Sequence, residues 1–223
     1  MFHTIAQTVQ HVNADKFQEL IHSGEGVILD VRTPEEYSRS HIEGSTLINV
    51  ADQNFVTKIA LLQKDKPVYL YCLTGSRSAA AANYMAKIGF GELYNLQHGI
   101  MDWSRKGLTT VQSNATVASE SMAYTEQSFQ QLIQSEKVVL IDFHAPWCAP
   151  CKNMSPVIEK LAEDFKGKAK VEKVDVEAND AITKAYQVQS IPGFILFKEG
   201  QKVWSHKGMI SYDELSDLIN NNL

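Results

Sequence analysis

The sequence predicts an α/β protein of two domains, and three observations carry that prediction. Apolar, β-branched runs recur along the 223 residues with helix-forming segments between them, the pattern of strands buried on both faces of a sheet. Between Trp103 and Tyr124 this rhythm breaks into SRKGLTTVQSNATVASES, rich in Ser, Thr, Asn and Gly and poor in periodic apolar residues. Arg32, Arg39, Arg77 and Arg105 all precede residue 107 and no arginine follows, as two separately evolved halves would read. The expected boundaries are 1–106 for the first domain, 107–121 for a linker and 122–223 for the second.

In chain order, the first half offers strands at GVILDV (26–31), STLINV (45–50), PVYLYC (67–72) and ELYNL (92–96). A helix is expected to begin near Arg77, just past LTGS, and its small residues SAAAANYMAKIG can pack close to a sheet. The second half offers VVLIDF (138–143), KVEKVDV (170–176) and FILFK (194–198). Around the first of these, VVLIDFHAPWCAPCKNMSPVIEKLAEDF reads as a strand ending near Phe143 and a turn punctuated by Pro146 and Pro150. An amphipathic helix with Cys151 in its first turn then follows.

Composition bounds the function. With 44% hydrophobic and 21% charged residues the chain can bury a substantial core. A net charge of −5 with scattered lysines is the wrong footprint for neutralising phosphates, so no nucleic-acid partner is expected. Three cysteines are too few for a disulfide framework or a zinc site closed by thiolates, which leaves packing or redox chemistry as their use. No apolar run reaches membrane-spanning length, and MFHTIAQTVQHVNAD lacks the charged start and apolar core of a secretory signal, so no membrane partner and a cytoplasmic address are expected. Nothing in the sequence would bind flavin or nicotinamide, and no cofactor or metal is expected.

In WCAPC, the first cysteine falls at a helix N-terminus, where free backbone N–H groups and the positive end of the macrodipole favour a thiolate. Cys148 is therefore the expected nucleophile. The two-residue spacing lets Cys151 reach back to displace a mixed disulfide and release reduced substrate. A pair of zinc ligands or a chance CxxC is the bland alternative, and zinc lacks a second CxxC or Cys/His pair to complete four ligands. Over about Met122–Leu223 the sequence resembles the thioredoxin family: besides WCAPCK it has Asp142, Pro156, Lys173, Ile191-Pro192 and Gly208 at the family's positions. The resemblance implies a thioredoxin fold with a mixed central sheet, a redox disulfide between Cys148 and Cys151, and reduction of disulfide-containing protein substrates. It further implies that Asp142 is a buried carboxylate moving a proton to or from Cys151, moderated by Lys173. Pro192 would be a cis proline that, with Ile191 and Trp147, contacts an extended substrate segment. Electrons would come from an external flavoprotein thioredoxin reductase. The sequence departs from the family's pattern at His144, Ala149, Ser190 and Gly193. His144 either simply fills a tryptophan's place or exerts a modest pH influence on the thiols.

PVYLYC delivers Cys72 to the carboxyl end of a buried strand, where ligands of open parallel sheets collect. Successive N–H groups of Leu73, Thr74, Gly75 and Ser76, closing onto a helix N-terminus, make an anion cradle, with Gly75 permitting the tight path. Arg77 returns toward the loop as a positive charge, and Ser76 and Ser78 offer hydroxyls for loop bonding or capping. Four residues separate Cys72 from Arg77, one fewer than related cysteine phosphatases need for phosphate, so the cradle suits the terminal sulfur of a persulfide. CLTGSRS resembles the rhodanese family, as do LDVRTPEEYSRSHIEG, Asn49 and LQHGIMDW, over about Asp15–Lys106, with departures at Ser40 and His98. The resemblance implies a parallel-sheet α/β domain in which Cys72 takes sulfur from a sulfane donor such as thiosulfate or a persulfide and passes it to a nucleophile. Asp30 and Arg32 are expected to hold the fold by buried pairing, and His41 to bond backbone near a turn.

Together the two halves read as a thiol-disulfide oxidoreductase fused to a sulfur carrier with sulfurtransferase activity. The persulfide on Cys72 would be a substrate for Cys148, raised in local concentration by the tether. A different reading makes the first domain a docking module that presents oxidised partners to the reductase. A third has the CxxC oxidise or isomerise disulfides outside the cytoplasm, against which the absent signal and the few cysteines count.

Overall fold

The computed structural model describes residues 9–112 and 122–223. The chain divides into two compact units that part between residues 116 and 117. In chain order, the first unit comprises β1 (Gln10–Val12), α1 (Ala14–Ile21), β2 (Val27–Asp30), α2 (Pro34–Arg39), β3 (Thr46–Leu47), α3 (Phe55–Ala60), β4 (Val68–Tyr71), α4 (Ser76–Lys87), β5 (Leu93–Leu96) and α5 (Gly99–Arg105). The second comprises α6 (Glu126–Ile133), β6 (Val138–His144), α7 (Ala149–Asp164), β7 (Lys170–Asp175), α8 (Asp180–Ala185), β8 (Gly193–Lys198), β9 (Gln201–Lys207) and α9 (Tyr212–Asn220).

The first sheet has the order β1-β5-β4-β2-β3, and every neighbouring pair is parallel. β4 is central and its four residues are all buried, which is why PVYLYC reads as a continuous apolar run. On one face Phe17 of α1 and Ile100 and Trp103 of α5 pack with Tyr69 and Tyr71 of β4, while α4 lies against β4 and β5. STLINV is shorter as a strand than its pattern predicts, because β3 is an edge. Its pairing with the chain of β2 nonetheless continues through Ile48 N–H to Asp30 O at 2.9 Å and Val50 N–H to Val31 O at 3.1 Å.

The second sheet, β7-β6-β8-β9, is mixed: β6 pairs parallel with β7 and antiparallel with β8, and β8 antiparallel with β9. Val138, Leu140, Phe194 and Leu196 pack under Met154, Ile158 and Leu161 of α7 and Leu215 and Ile219 of α9. An aromatic group of Phe129, Tyr186 and Phe197 closes the other face. β1 and β9 lack the apolar run that marks the strands inside the sheets. Both are sheet edges, and β9 alternates between exposed and half-buried over most of its length.

The linker is expected at residues 107–121, of which 113–121 lie outside the described residues. The described part is packed on the first unit rather than free of it. Leu108 joins the Phe17–Trp103 core, the Trp103 indole N–H donates to Thr109 O at 2.9 Å, and Val111 exchanges backbone hydrogen bonds with His41 at 2.8 Å each. Leu108 and Val111 suffice for this, and the Ser/Thr-rich composition around them hides it.

Candidate active sites

Cys72 stands just past β4, with its residue fully buried and its thiol free. The loop after it turns at Gly75, which has φ +92° and caps α4 without any side-chain hydrogen bond. A Cβ there would lie 2.0 Å from Gln97 O, so both conformation and space demand glycine. The Gly75 N–H donates to Cys72 Sγ at 3.1 Å. Burial pushes the thiol pKa up, but the Ser78 hydroxyl, the Ser78 backbone and the N–H groups of Thr74 and Gly75 outweigh it, and the net shift is down. α5 anchors the loop from behind: Ile100 N–H donates to Cys72 O at 2.8 Å and Met101 N–H to Leu73 O at 3.3 Å. Gly99, at φ +63°, approaches so closely that a Cβ would sit 2.3 Å from Leu73 O. His98 before it has φ −110°, an ordinary conformation, so its replacement of a glycine leaves the contact intact.

Arg77 faces the Cys72 sulfur, whose negative form helps raise the guanidinium pKa, but its main engagement is elsewhere. Its two terminal nitrogens donate to the carboxylate of Glu36 at 2.8 and 2.7 Å. The bidentate pair holds the Glu36 pKa down to about 2. Glu36 is itself fixed by the start of α2, where Thr33 and Glu36 form a reciprocal capping box behind Pro34. Sequence reasoning assigns no role to Glu36, although it lies within the opening motif; the Ser78 hydroxyl donates to Gly75 O at 3.2 Å, bonding the loop. Leu73, Thr74 and Ser76 line the exposed side of the loop.

Asp30 and Arg32 are buried together, the Arg32 Nη2 at 2.6 Å from Asp30 Oδ2 and at 2.7 Å from Ser40 O. Their bonds link the end of β2 to the chain after α2, in keeping with a structural use. His41 stacks on Tyr37 and its Nδ1 meets Tyr37 O at 3.0 Å.

In the second unit, Cys148 is the N-cap of α7 and is joined to Cys151 by a disulfide. The Cys151 N–H, in the first turn of α7 where no carbonyl of a preceding turn reaches it, donates to Cys148 Sγ at 3.2 Å. This is the contact that favours a thiolate once the pair is reduced. Alternation along β6 puts Asp142 on the face of Val138 and Leu140, which α7 covers. Asp142 is buried and neither carboxylate oxygen has a hydrogen-bond partner among the described residues. Desolvation raises its pKa from 3.8 to about 7, with the Lys173 charge pulling the other way.

Lys173 is the register partner of Asp142 across β6 and β7, and its Nζ donates to Ser155 Oγ of α7 at 2.9 Å, a link sequence reasoning missed. The His144 pKa is lowered by burial and then by Lys173. The Ile191–Pro192 peptide is cis, both residues are buried, and Pro192 O accepts from Gly208 N–H at 2.8 Å. At Gly193, one of the departures from the family's pattern, a Cβ would lie 2.7 Å from Ser190 O. Trp147 is half-buried. Among the described residues, no group of three or more His, Cys, Asp or Glu could hold a metal ion, and no helix is long and apolar enough to cross a membrane.

The two units thus define a parallel-sheet domain with a cysteine in an anion cradle and a mixed-sheet domain with a dithiol at a helix start. A family model for Rhodanese-like domain matches residues 13–106, and one for Thioredoxin matches residues 120–221. Thioredoxin 1 of Nostoc sp. is 37% identical over 106 residues, which is 47% of this chain and 99% of that protein. A thioredoxin of Staphylococcus aureus is 40% identical over 99 residues, 44% of this chain and 94% of that protein. Among solved structures, a mutant thioredoxin from Halobacterium salinarum is 37% identical with a TM-score of 0.42, covering 45% of this chain and 87% of that one. The chain belongs to the thioredoxin family through its second half and carries a rhodanese-like domain in its first. Membership supports thiol-disulfide oxidoreductase chemistry in the second half, and the rhodanese-like domain supports sulfur transfer in the first.

Proposed function

We propose that the protein is a dithiol reductase with a built-in sulfur carrier, its first domain 1–106 storing a persulfide on Cys72 that its second domain 122–223 reduces to sulfide. The observation that carries the reading is the Cys72 sulfur, free, hydrogen-bonded by the loop N–H of Gly75 and lowered in pKa by Ser78, Thr74 and Gly75 despite burial. Cys72 thiolate takes the sulfane sulfur of a donor such as thiosulfate or a persulfide, the donor leaving as sulfite or a thiolate. The cradle of Leu73–Ser76 accepts the resulting Cys72–S–S⁻, with Arg77, held by Glu36, beside it. Cys148 thiolate then takes the outer sulfur, the Cys72 S–S bond breaks, and Cys72 leaves as a thiolate. Cys151 attacks Cys148 and closes the Cys148–Cys151 bond, its proton passing to the sulfur that leaves as hydrosulfide, so two electrons pass from the dithiol to the released sulfur. Asp142, poised near neutrality beneath α7, exchanges the Cys151 proton, and Lys173 limits how far its pKa rises.

The same dithiol acts on protein disulfides that settle against Trp147, Ile191 and Pro192, and an external thioredoxin reductase restores it. A free thiol in so few cysteines suits a reducing compartment, and we place the protein in the cytoplasm.

The test follows sulfide release after Cys72 is loaded with excess thiosulfate or glutathione persulfide, freed of donor by gel filtration, and given reductase and NADPH. At low protein concentration the intact chain should release sulfide faster than an equimolar mixture of Cys72→Ser and Cys148→Ser chains. Equal rates remove the coupling. Unchanged protein-disulfide reduction with no sulfur loading of Cys72 favours the docking reading instead.

A further inference from the structure

The loop that holds Cys72 carries one cation. Leu73, Thr74, Gly75 and Ser76 are uncharged, and Arg77 is clamped by Glu36 through two hydrogen bonds of 2.8 and 2.7 Å. The pair's net charge is zero, and the neighbouring Arg32 is likewise neutralised, by Asp30 at 2.6 Å. Beside its two hydroxyls and the paired Arg77, whose side chain is 35% exposed, the loop presents apolar surface to solvent. Leu73 is 41% exposed, and Met101, whose N–H bonds Leu73 O, is also 41% exposed. Large hydrophobic side chains left open next to a buried nucleophile cost solvation unless something covers them in use.

A donor approaching this mouth meets little charge to hold a dianion and two apolar side chains to hold a carbon group. We infer that the Cys72 site is built for organic sulfane donors that bear an apolar substituent and at most one negative charge, and that Glu36, by occupying Arg77, sets it against inorganic thiosulfate.

The proposal rests on the reading of Cys72 as a sulfur acceptor and adds to it the class of donor. For a thiosulfonate the step is Cys72–S⁻ attacking the sulfane sulfur of R–SO2–S⁻. The bond between the two donor sulfurs breaks, R–SO2⁻ leaves as a sulfinate with the electron pair, and Cys72–S–S⁻ remains. With thiosulfate the same attack expels sulfite, but one more negative charge must enter the mouth. Cyanide then removes the sulfur as thiocyanate and restores Cys72–S⁻. Glu36 is here a positioning residue, touching neither donor nor sulfur.

Three donors separate charge from apolar contact: thiosulfate, methanethiosulfonate and benzenethiosulfonate. Thiocyanate formation by the full chain is measured with each, and each kcat/KM is divided by the rate of the same donor with free cysteine thiolate, which cancels intrinsic reactivity. For the native chain, the corrected value should rise about tenfold from thiosulfate to benzenethiosulfonate, a modest share of what one charge is worth near a protein surface. Leu73→Lys, at an exposed position with no part in the capping box, should raise thiosulfate use several-fold relative to benzenethiosulfonate. Glu36→Gln, which retains an oxygen for the Thr33 N–H, should shift the ratio the same way by freeing Arg77. Equal corrected values in the native chain, or a ratio that neither variant moves, overturns the proposal while the sulfur-acceptor reading stands. Failure of all three donors to add a sulfur atom to Cys72, read by mass spectrometry, removes the acceptor reading and the proposal with it.

Discussion

Asp142 makes the stability of the second unit depend on pH in a direction opposite to that of an ordinary surface carboxylate. Folding buries it without a hydrogen-bond partner for either oxygen among the described residues, and desolvation raises its pKa from 3.8 to about 7. Below the lower value both folded and unfolded chains hold the proton and burial of the acid carries no ionic penalty. Between the two values folding takes up a proton, so stability falls as pH rises, and the loss is complete once pH passes the folded value. At about 1.4 kcal/mol per pH unit, the interval from 3.8 to about 7 amounts to about 4 kcal/mol.

Asp142→Asn removes that titration while keeping the side chain's size. Its unpaired amide lowers stability by the same amount at every pH and so cancels from a comparison between two pH values. The assay is urea unfolding of the oxidised chain on a Trp103→Phe background, which leaves Trp147 and Trp204 to report the second unit by fluorescence. From about pH 4 to about pH 8, the chain that keeps Asp142 should lose about 4 kcal/mol more than the chain carrying Asp142→Asn. Parallel curves for the two chains would refute the argument, because the carboxylate would then titrate alike in both states.

Three further outcomes follow from the first unit. Ser78→Ala should move the ultraviolet titration of the Cys72 thiolate to higher pH, on a background with Cys148 and Cys151 replaced by serine, since its hydroxyl is the largest influence favouring the anion; an unmoved midpoint would assign the lowering to the loop amides alone. Gly75→Ala should destabilise the unit by about 2–5 kcal/mol, the sum of a left-handed alanine and an overlap with Gln97 O, and thermal unfolding reads it. Asp30→Ala should cost about 3–5 kcal/mol by stranding the Arg32 charge, whereas Asp30→Ala with Arg32→Met should cost less; a double-mutant cycle showing simple additivity would contradict a coupled pair.

Most of the fold was legible from local pattern. Strands inside a sheet are apolar at most positions, so β2, β4, β5, β6 and β8 announce themselves. Edges need not be: β3 and β7 still carry enough β-branched residues to be read, whereas β1 and β9 do not and went unseen. The positions proposed for the nucleophiles were equally local: a cysteine at a strand end before a glycine turn and a helix, and CxxC at another helix start, are features of consecutive residues. Hydrogen-bond direction at Cys72 and Cys148 follows from helix geometry alone.

What lies between distant segments was invisible in the residue order. Glu36 meets Arg77 across 41 positions, and Lys173 meets Ser155 across 18. No periodicity specifies such pairs, because a charged residue on a helix reads alike whether it faces water or a neighbouring element. The same holds for the chain after α5, whose polar composition looks like a tether while Leu108 and Val111 fasten it to the first unit. Residue order thus determined which cysteines stand at a strand end or a helix start, through short-range backbone geometry; long-range packing decided which charges remain beside them, because that depends on partners brought together only when the sheets close.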